Sequence, residues 1–226
     1  LKKENKLNYE IIVVVNASTD NTLNIVKKYN KKNKNILYIN TKEGGKGLAI
    51  KNGFKSALSR KNDLIGFVDA DLSTKPEEYY KLILSLDTYD GVIASRWMKR
   101  SVVNVRQTLL RRITSRGFNF LVKSILLLNY SDTQCGAKVF TKQAIQSVIN
   151  EIGTTRWAVD IDLLYRIKKK GFKVIETPTV WNDRKSSKLD LKRVPLEMFL
   201  GLMRVRLINS PFNFIIKFYD NLPENV

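Results

Sequence analysis

The sequence predicts an α/β fold in which a mainly parallel sheet is flanked by helices. Between residues 10 and 95, short apolar or β-branched runs alternate with segments of helical spacing. A strand, a helix and a further strand form the unit from which parallel sheets are built. The length of 226 residues, with 43% hydrophobic residues, fits one large domain around one substantial core.

The elements of this alternating part can be assigned in order. Residues 10–15 (EIIVVV) form a β-branched run, and residues 18–32 combine a capping residue with helical spacing. We then expect a strand at 36–40, a helix at 47–60, a strand at 64–68, a helix that begins at Pro76 and a strand at 91–95. Beyond Arg96 we expect a long basic helical region, an irregular segment at 132–140, a helix at 158–170 and a strand pair at 172–182.

Composition limits the possible functions. Forty Lys and Arg residues against 21 Asp and Glu leave a net charge of +19, which predicts attraction to nucleic acid, a nucleotide or an anionic membrane surface. Charge alone does not choose among these. The single Cys135 excludes an intrachain disulfide, and the absence of His excludes His-dependent catalysis and most zinc sites.

Two carboxylates follow the apolar strand at 64–68, in the sequence IGFVDADLS. In extended backbone, Asp69 and Asp71 point to the same side, and a divalent cation is the simplest partner for two such close charges. Alternatively, Asp69 caps the following turn. The segments 16–20, 41–46 and 95–96 also follow predicted strands, so we expect all four strand ends to meet in one crevice.

Several blocks of the sequence resemble, in this order, the successive motifs of family 2 inverting glycosyltransferases. The blocks are EIIVVVNASTDNT, GGKGLAIKNGFKSA, FVDADLS, ASRWMKRS, DTQCGAKVF and WAVDIDLLYRIKKKGFKVIETPTVWNDRKSSKLDL. The DTQCGAKVF block and the basic loop after Trp181 look most like the dolichyl-phosphate glucose and dolichyl-phosphate mannose synthases. The resemblance covers about residues 9–195 and implies a GT-A (Rossmann-like) fold.

The same resemblance implies a reaction and its cofactor. The family transfers a hexose from a nucleotide diphosphate sugar to a polyprenyl phosphate with inversion, using Mg²⁺ or Mn²⁺ bound to the DxD carboxylates. UDP-glucose is favoured over GDP-mannose, because the blocks at 132–140 and 184–191 look closer to those of the glucose enzymes. A phosphate acceptor has a second pKa of about 6 and is mostly ionised at pH 7, so it needs positive charge rather than a general base.

The site residues implied by the resemblance fall into three groups. Asp71 would be the principal metal ligand and Asp69 a second ligand or a ribose contact. The nucleotide sugar would contact Asn16, Ser18, Asp20, Lys46 and Asp69. The acceptor phosphate would contact Arg96, Arg111, Arg112, Arg116, Arg184 and Lys188. Asp160 and Asp162 would orient acceptor arginines, act as a base in a relative with a hydroxyl acceptor, or cap a helix; we favour the first role.

The sequence departs from the family pattern in two places. Relatives begin with a strand and a Pro-x-Asn-Glu-like turn, whereas this chain starts where the next helix should end, so we expect the first βα unit to be missing. In addition, Val15 and Asn16 replace the usual acidic pair. We expect a glycosyltransferase catalytic domain over residues 1–195 and an amphipathic segment over 196–226.

Membrane association is expected to be peripheral and at the cytoplasmic face. No stretch of about 18 uncharged apolar residues is present, but the segments 117–130 and 195–219 are both apolar and basic. Either segment could instead pack on the core. A sugar nucleotidyltransferase, an inactive nucleotide-binding relative and, less favoured, a nucleic-acid-binding protein stay open as alternatives, and the oligomeric state stays open too.

Overall fold

The computed structural model describes residues 7–104, 109–153, 158–182 and 193–214. Its strands are β1 (Ile11–Asn16), β2 (Ile36–Thr41), β3 (Leu64–Val68), β4 (Gly91–Ser95), β5 (Val102–Val103), β6 (Ala137–Thr141), β7 (Val174–Pro178) and β8 (Val180–Trp181). Its helices are α1 (Thr22–Lys32), α2 (Lys46–Leu58), α3 (Pro76–Leu84), α4 (Leu109–Leu126), α5 (Lys142–Val148), α6 (Val159–Lys169) and α7 (Arg193–Ile208).

Local sequence explains where these elements start and stop. The helix α3 begins with Pro76, whose fixed φ suits the first turn, followed by Glu77 and Glu78, which complement the positive helix end. The helix α1 ends with Lys31 and Lys32, which complement the negative end. Each predicted element between residues 10 and 95 is confirmed, with boundaries shifted by a few residues at most.

The strands form a predominantly parallel arrangement with one reversed strand. The strands β1 and β2 pair in parallel. In a second sheet of order β3-β6-β4-β7, β6 runs antiparallel to both neighbours, while β4 and β7 are parallel. Since β3 and β4 are both antiparallel to β6, they share one direction, and their carboxyl ends lie at the same edge. The α/β fold class is therefore confirmed.

The sheet β1-β2 and the four-stranded sheet are joined by a helix rather than by a ladder of hydrogen bonds. Among the strands that the structure describes, β1 pairs with β2 alone and β3 with β6 alone. The helix α2 packs against both β1 and β3, and a Cβ on its Gly53 would lie 3.4 Å from Val14 of β1. An ion pair between Glu10 and Arg60 also links the start of β1 to the end of α2.

The main core lies between the four-stranded sheet and the helices α2, α4, α5, α6 and α7. Ile161 and Leu164 of α6 are fully buried at its centre. Leu202 and Val205 of α7 belong to the same buried cluster, so this helix packs on the core that supports the site. The domain boundary at residue 195 stays a prediction. In the part of the chain described, no helix combines the length and apolar character that crossing a membrane requires.

Two sequence predictions in the second half were wrong in part, and one helix was missed. Residues 137–140, the end of the segment expected to be irregular at 132–140, belong to β6, a strand with a neighbour on each side. Its pattern was hidden because Lys138 interrupts the apolar run. The strand pair expected at 172–182 does not pair with itself, since β7 joins β4 and β8 joins β5. The helix α5 at 142–148 was not predicted.

Candidate functional site

The DxD carboxylates lie where β3 ends. Asp69 follows the last residue of β3, and its backbone N–H donates to the Gly136 carbonyl at 2.8 Å, which extends the pairing with β6 by one residue. Asp71 is exposed, and its Oδ1 accepts the Ser73 N–H at 2.9 Å. Leu72 has a φ of 60°, in the left-handed region, so the chain turns sharply directly after Asp71. This turn leaves the Asp71 side chain accessible from solvent.

Gly136 makes room for Asp69. A Cβ at Gly136 would overlap the Asp69 carboxyl group and would lie 2.9 Å from the Asp69 Cβ. The backbone of β6 therefore passes directly against this carboxylate. A residue with any side chain at this position would displace Asp69 from its place at the strand end.

Lys46 brings a positive charge to the same place from the first turn of α2. Its Nζ lies 3.2 Å from Asp69 Oδ1 and 3.1 Å from Asp160 Oδ2. Asp160, near the start of α6, is almost fully buried, and its Oδ1 accepts a hydrogen bond from Lys138 Nζ at 2.6 Å. Four charged groups therefore form a row from the buried strand β6 to the edge of the sheet.

Burial and the neighbouring lysines shift the pKa values of the two aspartates in this row. Burial would raise the pKa of Asp160, but Lys138 and Lys46 outweigh it and hold that pKa below its ordinary value. Burial raises the pKa of Asp69, and Lys46 only partly offsets this. The Phe67 ring lies beneath both ammonium groups, 5.6 Å from Lys46 Nζ and 5.2 Å from Lys138 Nζ. Asp160 is therefore fixed as a carboxylate in the interior.

The segment after β1 meets the loop that precedes Lys46. The Thr41 hydroxyl lies 3.4 Å from the Asn16 side-chain oxygen, and a Cβ on Gly44 would lie 3.5 Å from the Ala17 Cβ. The structure thus brings the ends of β1, β2 and β3 to one region, as the sequence predicted.

Ser18 and Asp20 lie further along the same loop, and both are exposed. Asp20 accepts hydrogen bonds from the Thr22 N–H and the Ser18 hydroxyl, and these lower the pKa of Asp20 to about 2. The carboxylate thereby caps the start of α1. A nucleotide contact by Ser18 or Asp20 stays a prediction.

Arg96 is part of a buried ion pair. Its Nε donates to Asp132 Oδ2 at 2.6 Å and its Nη2 to Oδ1 at 2.9 Å, and its backbone N–H also donates to this carboxylate. Its guanidinium lies over the Trp181 ring at 5.2 Å. Burial acts to raise the pKa of Asp132, but Arg96 holds it below the ordinary value. Arg96 thus fixes the loop after residue 130 in this conformation, and a contact to an acceptor stays a prediction.

Two of the three predicted acceptor cations on α4 are exposed. Arg112 and Arg116 face solvent, and the Arg116 guanidinium lies 5.3 Å from the centre of the Trp97 ring. Asn119, on the same helix, donates to the carbonyls of Tyr130 and Ser131, so α4 is tied to the loop that carries Asp132. The side chain of Arg111 and the whole of Arg184 and Lys188 lie outside the described residues.

Asp162 has surroundings different from those of Asp160. Its Oδ1 accepts from Arg166 Nε at 2.7 Å and its Oδ2 from the Gly153 N–H at 2.8 Å. Residues two apart on a helix do not share a face, which explains why the two carboxylates separate. Asp162 holds the loop before α6, while Asp160 joins the strand-end site.

Sequence reasoning missed three residues that shape the site: Gly136, Lys138 and Asp132. A lysine within an otherwise apolar strand was the available signal for Lys138, since an unpaired buried ammonium is costly and implies a carboxylate nearby. No local pattern marked Asp132 as the partner of Arg96, because 36 residues separate them.

The donor groups present suit a hard divalent cation that shares its coordination with a ligand. Within the described residues, no group of three or more acidic, Cys or His side chains is arranged to hold a metal ion unaided. Asp69 and Asp71 supply two carboxylates at the sheet edge. Mg²⁺ is commonly held by one or two carboxylates together with substrate phosphates and water. The residues therefore fit a metal that binds together with a diphosphate.

Sequence comparison finds relatives that match most of this chain. The chain is 30% identical over 210 residues to dolichyl-phosphate beta-glucosyltransferase ALG5D of Trichomonas vaginalis, covering 90% of this chain and 63% of the relative. It is 30% identical over 216 residues to the Homo sapiens dolichyl-phosphate beta-glucosyltransferase, covering 91% and 66%. The chain therefore spans less than two thirds of the length of these relatives.

Solved structures share the fold at low sequence identity. Glucosyl-3-phosphoglycerate synthase from Mycobacterium tuberculosis, in complex with Mn²⁺ and UDP-glucose, matches with a TM-score of 0.61 and 15% identity, covering 88% of this chain and 69% of that one. This supports the GT-A fold that the sequence predicted. The model of glycosyl transferase family 2 matches residues 1–149, and the chain therefore belongs to that family.

Proposed function

We propose that the protein transfers glucose from UDP-glucose to dolichyl phosphate or another polyprenyl phosphate, with inversion at the anomeric carbon. The names of its relatives support this acceptor and sugar. The observation that carries the proposal is the placement of exposed Asp71 beside the row Asp69, Lys46 and Asp160 at the strand ends. This arrangement suits a metal-bound diphosphate.

The donor half of the site consists of the two carboxylates and one lysine. We propose that Asp71 and Asp69 hold Mg²⁺ or Mn²⁺, which when bound neutralises charge on the departing nucleotide. Lys46, whose side chain is about one third exposed, can reach a phosphate oxygen without leaving Asp160. Asn16 lies on the side of the crevice formed by β1 and β2, where we propose that the nucleoside binds, together with Ser18 and Asp20.

The acceptor half needs cations rather than a base. A lipid phosphate is already ionised at neutral pH. Asp160 is held as a carboxylate between two lysines in the interior, so a role in orienting cations suits it better than proton abstraction. Exposed Arg112 and Arg116 are the described cations that we propose to attract the acceptor phosphate; Arg96, Arg111, Arg184 and Lys188 stay predicted contributors.

We also propose that one face of the protein lies against the cytoplasmic surface of a membrane. The helices α4 and α7 pack together. Both helices, and the residues that follow α7, expose large apolar side chains. These are Ile113, Phe120, Leu196, Leu200, Phe212 and Phe214. Basic residues on the same two helices are Arg112, Arg116, Lys123, Arg204 and Arg206. Apolar side chains beside cations fit an anionic lipid surface, where a lipid-linked acceptor is found.

Transfer is tested with labelled UDP-glucose and GDP-mannose, each with a polyprenyl phosphate acceptor and Mg²⁺ or Mn²⁺. Glucose transfer that stops in EDTA is expected. The variant D71N should lower turnover by at least about 100-fold, since it removes a charged metal ligand. The matched control is D63N, the same change at an exposed position before β3, which should keep full activity. Undiminished activity in EDTA or in D71N would refute the metal role.

Membrane binding is tested by co-sedimentation with anionic and neutral liposomes at low and high salt. Each basic residue near an anionic surface contributes about 1 kcal/mol, so R112E/R116E should weaken binding to anionic liposomes by at least about 30-fold. The control K27E/K28E changes two exposed lysines of α1, a helix that packs on β1 and β2, and should bind nearly as the unaltered protein does. Equal binding by both variants would contradict the proposed face.

A further inference from the structure

Lys138 is a charged residue in the interior of the protein. It lies on β6, its exposed fraction is 0%, and its Nζ donates to Asp160 Oδ1 at 2.6 Å and to the Cys135 carbonyl at 2.7 Å. Burial of an ammonium group is unfavourable unless it is paired and hydrogen-bonded. Each of these two residues, Lys138 and Asp160, therefore compensates the buried charge of the other.

Asp160 connects this buried lysine to the site. One of its oxygens accepts from Lys138, and the other lies 3.1 Å from Lys46 Nζ. Lys46 then reaches Asp69 at 3.2 Å. The carboxylate is thus oriented from the interior by one lysine and presents its second oxygen to another lysine at the sheet edge.

We propose that Lys138 is a positioning residue for donor binding, and this rests on the function proposed above. By fixing the Asp160 carboxylate, Lys138 anchors the Lys46 ammonium beside Asp69, where the diphosphate of the donor is received. A buried ion pair is often replaceable by apolar residues without loss of stability. Contact with a third group, Lys46, gives this pair a role beyond stability.

A purely structural role makes a different prediction. If Lys138 and Asp160 served only to join β6 to α6, an apolar pair of similar size would restore both the fold and ligand binding. If the pair positions Lys46, the apolar pair restores the fold alone. The double variant K138M/D160L separates these two roles because it leaves no unpaired buried charge.

The experiment measures the Kd of UDP in the presence of Mn²⁺ by calorimetry, and the melting temperature, for the full chain. We expect K138M/D160L to melt at or above the temperature of the unaltered protein and to bind UDP at least tenfold more weakly. K46M should show a similar loss, and the triple variant with all three changes should bind no more weakly than K46M. The control K51M removes another lysine of α2, which donates to the Ile152 carbonyl, and should bind UDP normally.

Each outcome decides the proposal. Normal UDP affinity in K138M/D160L, or a further loss in the triple variant beyond K46M, overturns it. If K138M/D160L does not fold, D160N replaces it, since the amide keeps the shape while weakening the anchor of Lys46, and normal affinity there also overturns the proposal. If the unaltered protein binds neither UDP nor GDP with Mn²⁺, the proposed function itself fails; UDP binding that is unaffected by the variants refutes only the positioning role.

Discussion

Replacement of Gly136 by alanine should weaken the site and also cost some stability. The added Cβ would overlap the Asp69 carboxyl group and lie 2.9 Å from the Asp69 Cβ. Relief requires the Asp69 side chain to rotate away and the backbones of residues 69 and 136 to separate slightly, although β6 is held between β3 and β4. Gly136 does not have a positive φ, so alanine adds no backbone strain there. The predicted effect is therefore steric and local.

The losses of stability and of ligand affinity can be estimated separately. Overpacking of this kind costs about 1–3 kcal/mol of stability. Loss of one interaction with a charged group costs about 1.5–3 kcal/mol, which corresponds to about a 10- to 150-fold loss of affinity for UDP with Mn²⁺. Affinity is measured by calorimetry and stability by urea unfolding on the same preparation.

The matched control for this variant is Gly117→Ala. Gly117 lies within α4, and a Cβ there would meet nothing within 4 Å. Alanine in a helix is more favourable than glycine by about 0.5–1 kcal/mol, so G117A should be slightly more stable and bind normally. A folded G136A protein with normal affinity for UDP and Mn²⁺ would refute the role assigned to Asp69.

Two further predictions concern the support of the site. D132N leaves Arg96 buried without its charged partner and should cost about 3–5 kcal/mol in urea unfolding at pH 7. Because Arg96 holds the pKa of Asp132 below its ordinary value of 3.8, this contribution is present above about pH 4 and is lost as the pH falls further, so acid should destabilise the unaltered protein more than D132N. Parallel acid-unfolding curves would contradict this. L202A, at a fully buried position of α7, should cost about 2–5 kcal/mol, whereas L200A, at an exposed position of the same helix, should leave stability within about 0.5 kcal/mol and weaken liposome binding. Equal stabilities for these two variants would show that α7 does not contribute to the core.

The first half of the fold was predictable because its signals are local. Residues 64–68 form an uninterrupted apolar run, and Asp69 follows it directly, so both the strand and the carboxylate at its end were assigned correctly. The strand β6 was missed because its one charged residue, Lys138, is neutralised by Asp160, which lies 22 residues further along the chain. A local pattern carries no information about such a partner.

The same limit applies to the candidate site. The ion pair of Arg96 with Asp132 was not predicted, because Asp132 is distant in sequence, and a contact of Arg96 with an acceptor stays a prediction. Asp160 and Asp162 were given one shared role from the family resemblance, and their sequence spacing equals that of Asp69 and Asp71. That spacing brings side chains together in extended backbone and separates them on a helix, and the second pair lies on α6. The type of secondary structure therefore determines whether two carboxylates at this spacing lie close together.

The break between the two sheets has a consequence for the backbone. Among the described strands, β1 and β3 each have one edge without a strand partner, and α2 packs across both. A strand edge without a partner can pair with an added extended peptide through main-chain hydrogen bonds. Without such a partner, strand edges also favour self-association of a protein. Strand addition at the edge of β1 would extend the sheet whose end carries Asn16, and strand addition at the edge of β3 would extend the sheet whose end carries Asp69.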